Sequence, residues 1–257
     1  MPRRLMPALA LSAFALSAFA LAAPAAALDL DSLTEDERAA FRAEVRAYLL
    51  DNPEVLMEAI GVLEQREAQA QAAADQAMAL AARDALWNDG HSWVGGNLEG
   101  DITIVEFVDY RCGYCRRAHG EVEQLLAADP GIRLIVKEFP ILGEGSTLSS
   151  RFAIAVKTLH GDDTYKAVHD ALIGLRADAT PDTLTRLAEG FALDPAPIFE
   201  EMESAETSQV IAENRALAQR LEISGTPTFV LEDQMLRGFL PAAQMQVIVD
   251  QLRAERG

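Results

Sequence analysis

Cysteine is almost absent from this chain: its 257 residues include only Cys112 and Cys115, besides two tryptophans and four histidines. So few cysteines exclude a fold that is held together by a framework of disulfides. They also cannot supply the four ligands of a closed zinc site, and the histidines are scattered along the sequence. The two cysteines are therefore best interpreted through their own spacing.

Basic residues are also scarce. Lysine and arginine together number 22, against 40 aspartates and glutamates, which gives a formal net charge of −18. An acidic surface repels the phosphates of nucleic acids and of anionic membranes, so we expect neither as a partner. The simplest interpretation of the charge is that it keeps the protein soluble.

The two cysteines lie three residues apart in the sequence Cys112-Gly113-Tyr114-Cys115. The apolar run at 102–108, which predicts a buried strand, comes just before them, and an amphipathic stretch with helical spacing follows. A thiol at the N-terminus of a helix is stabilised as a thiolate, with a lowered pKa. We therefore expect Cys112 to be an exposed, nucleophilic thiol and Cys115 to be a buried thiol that resolves the mixed disulfide.

Other roles for the pair remain open at this level. A structural disulfide across two residues closes too small a loop to stabilise the fold much. Copper(I) is a sharper competitor, because two thiolates are the soft ligands that it prefers.

The N-terminus has the pattern of a secretory signal peptide at 1–27. Arg3 and Arg4 precede an apolar, alanine-rich run at 5–22, and the small residues of 25–27 form a cleavage site. We expect cleavage after Ala27, although an uncleaved membrane anchor is the alternative. Export to the bacterial periplasm, an oxidising compartment, would make a CxxC pair redox-competent.

The segment from 28 to about 88 is predicted to be helical throughout. A capping box at Thr34–Glu37 begins the first helix, and Asn52-Pro53 begins a second that could run unbroken to Trp87. The apolar stripe of this second helix is thin: Leu56, Ile60, Leu63, Ala70, Ala74, Ala77 and Ala81. Such a helix needs a partner, either other subunits or the domain that follows, unless it is only a solvated spacer.

An α/β pattern occupies 89–257. Asp89-Gly90 and Val94-Gly95-Gly96 are predicted to be the turns that join it to the helical segment. The expected order is a strand, the CxxC helix, a second strand, a long helical stretch at about 146–221, two strands and a last helix after Pro241. The strands are predicted at 102–108, 132–136, 228–231 and 234–237. This order is that of a thioredoxin fold with a helical insertion, in the α/β class.

Two further features join the cysteines as candidate site residues. Pro227, after Thr226, comes just before a predicted central strand, where a cis proline would be tolerated and would leave the Thr226 backbone free to pair with a substrate strand. Glu106 lies in the strand at 102–108, where an unpaired buried carboxylate would have a raised pKa and could relay a proton to Cys115. Pairing with Lys137 or exposure at a sheet edge are the structural alternatives for Glu106. Gly113 and Tyr114 would adjust the surroundings of the thiols.

Three segments carry a resemblance to a known family. The sequences VEFVDYRCGYC, KEFPILG and ISGTPTF occur in the order found in the DsbA-type periplasmic thioredoxin family. The Gly-Tyr dipeptide and the threonine before the proline resemble the DsbC-type isomerases. The helical N-terminal segment is similar to that of the ScsC-like branch, whose members include oligomeric isomerases.

The resemblance implies a periplasmic thiol-disulfide oxidoreductase, most simply a protein disulfide isomerase. It would need no cofactor or metal. Its partners would be exported client proteins with cysteines and a membrane redox partner, either a reductase like DsbD or ScsB or an oxidase like DsbB. It implies a homo-oligomer, a trimer before a dimer. The alternatives are a monomeric DsbA-like dithiol oxidase and a non-enzymatic copper(I)-binding or holdase protein.

Overall fold

The computed structural model describes residues 32–256, which fall into two compact units that divide between Gly61 and Val62. The predicted signal peptide and its cleavage site after Ala27 lie outside the described residues. Within 32–256, no helix combines the length and the apolar character needed to cross a membrane.

The described chain is mostly helical, with one five-stranded sheet. Its helices are α1 (Glu35–Asp51), α2 (Glu54–Ala81), α3 (Arg83–Trp87), α4 (Gly113–Ala128), α5 (Glu144–Gly174), α6 (Pro181–Gly190), α7 (Pro195–Met202), α8 (Ala205–Arg220) and α9 (Ala242–Arg256). Its strands are β1 (Trp93–Gly96), β2 (Ile102–Val108), β3 (Ile132–Glu138), β4 (Thr228–Leu231) and β5 (Gln234–Arg237).

The first unit contains α1 and the start of α2. The predicted capping box is present: the Glu37 N–H donates to Thr34 Oγ1 at 3.3 Å, and the Thr34 N–H donates to the Glu37 carboxylate at 2.9 Å. No residue of α1 is buried. This unit therefore leaves the apolar side chains of its first helix in contact with solvent.

The predicted second helix was wrong in its extent, and it buries a face that the sequence did not indicate. The helix ends before Ala82, whose backbone angles (φ −99°, ψ 7°) lie outside the helical region. The short helix α3 follows, and its Leu86 is buried in the core. In the second unit, α2 buries Asp75 and Ala79 rather than the predicted alanine stripe. The reason is tertiary: the Asp75 carboxylate accepts a hydrogen bond from Arg237 at 2.7 Å, which turns that face of the helix inward.

The sheet has the strand order β1-β3-β2-β4-β5. The central strand β2 runs parallel to β3, as predicted, and antiparallel to β4. Three strands (β2, β4 and β5) have the predicted bounds, and β3 extends two residues further, to Glu138. The predicted thioredoxin fold with a helical insertion, preceded by helices, is confirmed.

The edge strand β1 was not predicted, because its glycines indicated a turn. Gly95 has a packing role: a Cβ at this position would lie 2.0 Å from the indole of Trp93, which covers it. That indole stacks on Tyr165 and donates to the Asp162 carbonyl at 3.1 Å. Trp93 thus joins β1, which pairs antiparallel with β3, to helix α5.

All seven residues of β2 are buried, because each face of the sheet has its own core. Ile104 and Val108 face a core that includes both cysteines and residues of α4, α5 and α9. Val105 and Phe107 face the opposite core, which α2, α3 and α8 cover. Since side chains alternate along a strand, Glu106 lies on the same face as Ile104, with the cysteines.

Candidate active site

The cysteines lie where the sequence predicts, at the N-terminus of α4. Cys112 is the N-cap residue, with extended backbone angles (φ −77°, ψ 118°), and Cys115 lies in the first turn. The Cys112 N–H donates to the Asp109 carbonyl at 3.1 Å, and its own carbonyl accepts from the Arg116 N–H. Both residues are free thiols.

The second half of the fold contributes the loop before β4. The Thr226–Pro227 peptide bond is cis, as predicted. The Cys112 thiol lies 3.2 Å from the Thr226 carbonyl oxygen, so residues 114 positions apart in sequence meet at the thiol. An open groove of about 160 Å³ follows this loop; it is lined by Ser224, Gly225, Thr226, Pro227, Thr228, Arg237 and Gly238.

The exposure predicted for Cys112 was wrong. Its exposed fraction is 7%, and that of Cys115 is 0%. One of the groups against its sulfur is the Thr226 carbonyl oxygen, at 3.2 Å. Burial raises the pKa of the Cys115 thiol well above its usual range, and the negative charge of Glu106 adds to the shift. Cys112 is thus the more accessible of two enclosed thiols.

Glu106 is a buried carboxyl group on the dithiol face of β2. Its exposed fraction is 3%. Burial raises its pKa from 4.5 to about 8, with further contributions from the charges of Glu123 and Glu138. Lys137, the alternative partner that the sequence left open, forms its ion pair with Asp89 instead. Glu106 can therefore hold a proton near neutral pH beside Cys115.

A second buried carboxyl group, Glu138, was not predicted. The hydroxyl groups of Tyr110 and Tyr165 both donate to its Oε1 at 2.7 Å, while its Oε2 has no hydrogen-bond partner among the described residues. Burial raises the pKa of Glu138 to about 7, although these hydrogen bonds oppose the shift. Its partners lie 28 and 27 residues away in sequence, so no local pattern indicates the cluster.

The Tyr110 hydroxyl also contacts His169 Nδ1 at 2.9 Å, which extends this polar cluster to helix α5. Burial, together with the nearby positive charges of His119 and Lys166, lowers the pKa of His169 to about 3. The imidazole of His169 is therefore neutral at physiological pH.

Asp109 fixes the loop that precedes the cysteines. This fully buried carboxylate accepts hydrogen bonds from the Arg111 N–H and the Ser146 hydroxyl, each at 2.8 Å. It also accepts from the backbone N–H groups of Ile141 and Leu142. One side chain thus ties the CxxC loop to the loop after β3. The Asp in VEFVDYRC was the signal for it, and sequence reasoning gave it no role.

Two of the predicted site residues, Tyr114 and Gly113, lie at the protein surface next to the thiols. The Tyr114 side chain is 56% exposed, and the Arg117 guanidinium lies 4.3 Å from its ring centroid. A Cβ added at Gly113 would have no heavy atom within 4 Å, so glycine leaves open space beside the thiols. The thiols of Cys112 and Cys115 would supply the two soft ligands that copper(I) prefers.

The site thus combines a thioredoxin fold with a CxxC pair at a helix N-terminus, a cis proline and a buried carboxyl group, an arrangement that can exchange thiols with disulfides. The model of the DSBA-like thioredoxin domain matches residues 103–253, which is more than half of the chain. The chain therefore belongs to the DSBA-like thioredoxin domain family. Residues 37–70 match the model of the "Copper resistance protein ScsC N-terminal domain", so the N-terminal helical segment is similar to that of ScsC proteins.

Several solved structures of thioredoxin-like proteins are similar to this chain. A thioredoxin-like oxidoreductase from Silicibacter pomeroyi is 45% identical, with TM-score 0.63, and the match covers 67% of this chain and 98% of that one. BcfH of Salmonella enterica Typhimurium is 28% identical, with TM-score 0.70 and coverage of 84% and 95%. Proteus mirabilis ScsC in a transitional conformation is 27% identical, with TM-score 0.63 and coverage of 88% and 99%.

The chain spans about a quarter of the length of the first curated relatives that it matches. One of them is a Na(+)/H(+) antiporter, NhaA 3 of Salinispora tropica, which is 28% identical over 170 residues. These residues are 64% of this chain and 26% of the antiporter. The likeness is therefore to one part of that larger protein.

Proposed function

We propose that this protein is a periplasmic protein disulfide isomerase that acts through Cys112 and Cys115. The observation that carries the proposal is the meeting of the Cys112 thiol with the Thr226 carbonyl, 3.2 Å away, beside an open groove. The leader pattern at 1–27 and the relatives of the ScsC-like branch support export to the periplasm.

The chemistry follows from the order of the two thiols. The Cys112 thiolate attacks one sulfur of a client disulfide, and the other client sulfur leaves as a thiolate. A second client thiolate can then attack the mixed disulfide and release Cys112, which rearranges the client without net oxidation. When no such thiolate arrives, Cys115 attacks Cys112, and the client leaves reduced while the pair becomes a disulfide.

Glu106 moves the proton in this second route. Cys115 must lose its proton before it attacks, and burial makes that loss difficult. The Glu106 carboxylate accepts the proton, and in the reverse direction the protonated form returns it to the Cys115 thiolate. A pKa of about 8 keeps both forms accessible near neutral pH.

The client segment would lie in the groove beside Cys112. In an extended conformation, its backbone can pair with that of Thr226, next to Pro227. Tyr114 offers a half-exposed aromatic surface at the rim, and Gly113 leaves space for the client chain. This arrangement would recognise the backbone of the client rather than its side chains, which suits a protein that acts on many misfolded clients.

The first unit is proposed to make the protein a homo-oligomer, most simply a trimer and otherwise a dimer. Its large apolar side chains are exposed: Phe41 43%, Val45 41%, Tyr48 55%, Leu50 63%, Leu56 48%, Met57 67% and Ile60 46%. Four of them, Phe41, Val45, Leu50 and Leu56, line an apolar groove between α1 and the start of α2. Burying such side chains against copies of themselves would stabilise an assembly.

A membrane reductase would keep the thiols of Cys112 and Cys115 reduced, as an isomerase requires.

Two assays run side by side test the function. The reduced protein should restore activity to a ribonuclease with scrambled disulfides, and a Cys112→Ser variant should not, because it lacks the nucleophile. The second assay measures oxidation of a dithiol peptide by the oxidised protein. Peptide oxidation without rearrangement of the ribonuclease would indicate a DsbA-like oxidase instead. Inactivity in both assays would leave the copper(I)-binding or holdase alternative.

Glu106→Gln is expected to slow release of the mixed disulfide by Cys115 at neutral pH by on the order of 100-fold, because it removes the proton acceptor. Stopped-flow measurement of the release of a fluorescent client peptide would give the rate. Glu232→Gln is a matched control: this glutamate is also buried, but it contacts the Thr103 N–H at the opposite end of β2. Equal rates in the two variants would reduce Glu106 to a structural residue.

Glu106→Gln should also show how much the ionised Glu106 carboxylate lowers the free energy of unfolding. The folded state keeps the Glu106 proton up to about pH 8, whereas the unfolded chain loses it near 4.5. The folded state therefore binds more protons in this window, and the free energy of unfolding falls as pH rises through it. Since each pKa unit corresponds to about 1.4 kcal/mol, Glu106→Gln should be more stable than the wild type at pH 9 by at least about 1 kcal/mol. Urea unfolding at pH 5 and pH 9 would measure the difference.

A further inference from the structure

A cluster of three metal-ligating side chains lies away from the thiols, between helices α4 and α5. His119 comes from α4, and His169 and Asp170 come from α5. One ligand atom from each lies within 4.8 Å of the others. The exposed fraction of His169 is 3%, while the side chains of His119 and Asp170 are 22% and 40% exposed. The cluster is therefore closed on one side and open to solvent on the other.

His169 is held in the orientation that a metal ligand needs. The Tyr110 hydroxyl donates to Glu138 Oε1 at 2.7 Å, so its oxygen is left to accept a hydrogen bond from His169 Nδ1–H at 2.9 Å. This tautomer leaves an unprotonated Nε2. Tyr165 stacks on the imidazole with ring centroids 5.7 Å apart. Metal-ligating histidines usually donate their other ring N–H to a fixed acceptor, and here that acceptor is the Tyr110 hydroxyl, which the Glu138 carboxylate holds in place.

The other two groups converge from the solvent side. His119 Nε2 lies 3.2 Å from Asp170 Oδ1. Lys166 competes for this carboxylate, since its ammonium group contacts both Asp170 oxygens at 2.7 Å and Glu123 at 3.0 Å. A cation that bound Asp170 would leave Lys166 with Glu123 as its partner.

We propose that His119, His169 and Asp170 bind a divalent transition-metal cation, with Zn²⁺ as the best match. Two imidazole nitrogens and one carboxylate oxygen form a donor set that zinc accepts, with water in the open fourth position. The site uses neither thiol, so it stands independently of the dithiol function. Because His119 lies on the helix that begins at the CxxC pair, a bound cation would tie that helix to α5.

Calorimetric titration with Zn²⁺ tests the site in protein without a histidine tag, after Cys112 and Cys115 have been oxidised to a disulfide. Oxidation removes the thiolates as competing ligands. One ion per chain should bind with micromolar affinity. Cobalt(II), used as a spectroscopic probe, should give visible d–d bands without thiolate charge-transfer bands. Absence of binding by the oxidised wild-type protein would overturn the proposal.

Variants separate this site from adventitious binding. His119→Gln and Asp170→Asn should each weaken binding by at least about 100-fold, and Tyr110→Phe by about 10- to 100-fold, because it frees the His169 ring. Lys166→Gln should tighten binding, since it removes both a competitor and a repelling charge. The control is His160→Gln, an exposed histidine on α5, which should bind as the wild type does. Unchanged affinity in His119→Gln and Asp170→Asn, or weaker binding in Lys166→Gln, would contradict the assignment.

Discussion

A Cys115→Ser variant is expected to remain covalently attached to its clients, whereas a Cys112→Ser variant should fall to the uncatalysed rate of disulfide exchange. The reason is the placement of the thiols. Cys112, at the N-cap beside the Thr226 carbonyl, meets the client, and the fully buried Cys115 reaches only Cys112. Without Cys115, only a second client thiolate can release the mixed disulfide, so the adduct persists with clients that offer no free thiolate.

Non-reducing electrophoresis after acid quenching, followed by intact-mass spectrometry, would detect the adducts. The double variant is the control for attachment through anything other than these thiols, because Cys112 and Cys115 are the only cysteines in the chain. Adducts on Cys112→Ser, with none on Cys115→Ser, would show that the two roles are reversed.

Removal of the first unit is expected to convert an oligomer into a monomer and to abolish isomerase activity while dithiol oxidation persists. The truncated chain should begin at Val62, because α2 buries Asp75 and Ala79 within the second unit. Several CxxC sites that face one client raise the effective concentration of the second encounter, and a monomer loses that advantage. Sedimentation velocity would measure the mass, and the scrambled ribonuclease assay would measure the activity.

A point variant guards against damage from the truncation. Ile60→Glu places a charge in the exposed apolar set of the first unit, and Glu58→Gln on the same helix is its matched control. The first should dissociate the assembly, and the second should not. If the intact protein sediments as a monomer at micromolar concentration, the oligomer proposal fails and a monomeric DsbA-like oxidase becomes the better interpretation.

The parts of the fold that could be predicted from sequence are those with local signals. The strand β2 is a mostly apolar run, and the capping box of α1 is a four-residue pattern. By contrast, β1 was missed because Gly95 is required by the Trp93 ring, a contact that no propensity encodes. The buried face of α2 was missed because Arg237, 162 residues away, selects it.

The residues of the candidate site also divide into those with a local sequence signal and those without one. The CxxC pair, the cis proline and the buried Glu106 each carry a signal in a short segment, and the structure brings their segments together. Asp109 and Glu138 were overlooked because each acts through partners in distant segments. The enclosure of Cys112 by Thr226 likewise depends on a contact between chain halves, so its exposure could not be predicted from the helix position alone.

The two buried carboxyl groups, Glu106 and Glu138, have a consequence for spectroscopy. Burial raises the pKa of Glu106 to about 8 and that of Glu138 to about 7, which favours the protonated form of each near neutral pH. A protonated carboxyl group has an infrared carbonyl band that its ionised form lacks. The unlabelled protein therefore contains its own vibrational reporter, and a difference spectrum between the dithiol and disulfide forms would show any change in the protonation of Glu106 and Glu138.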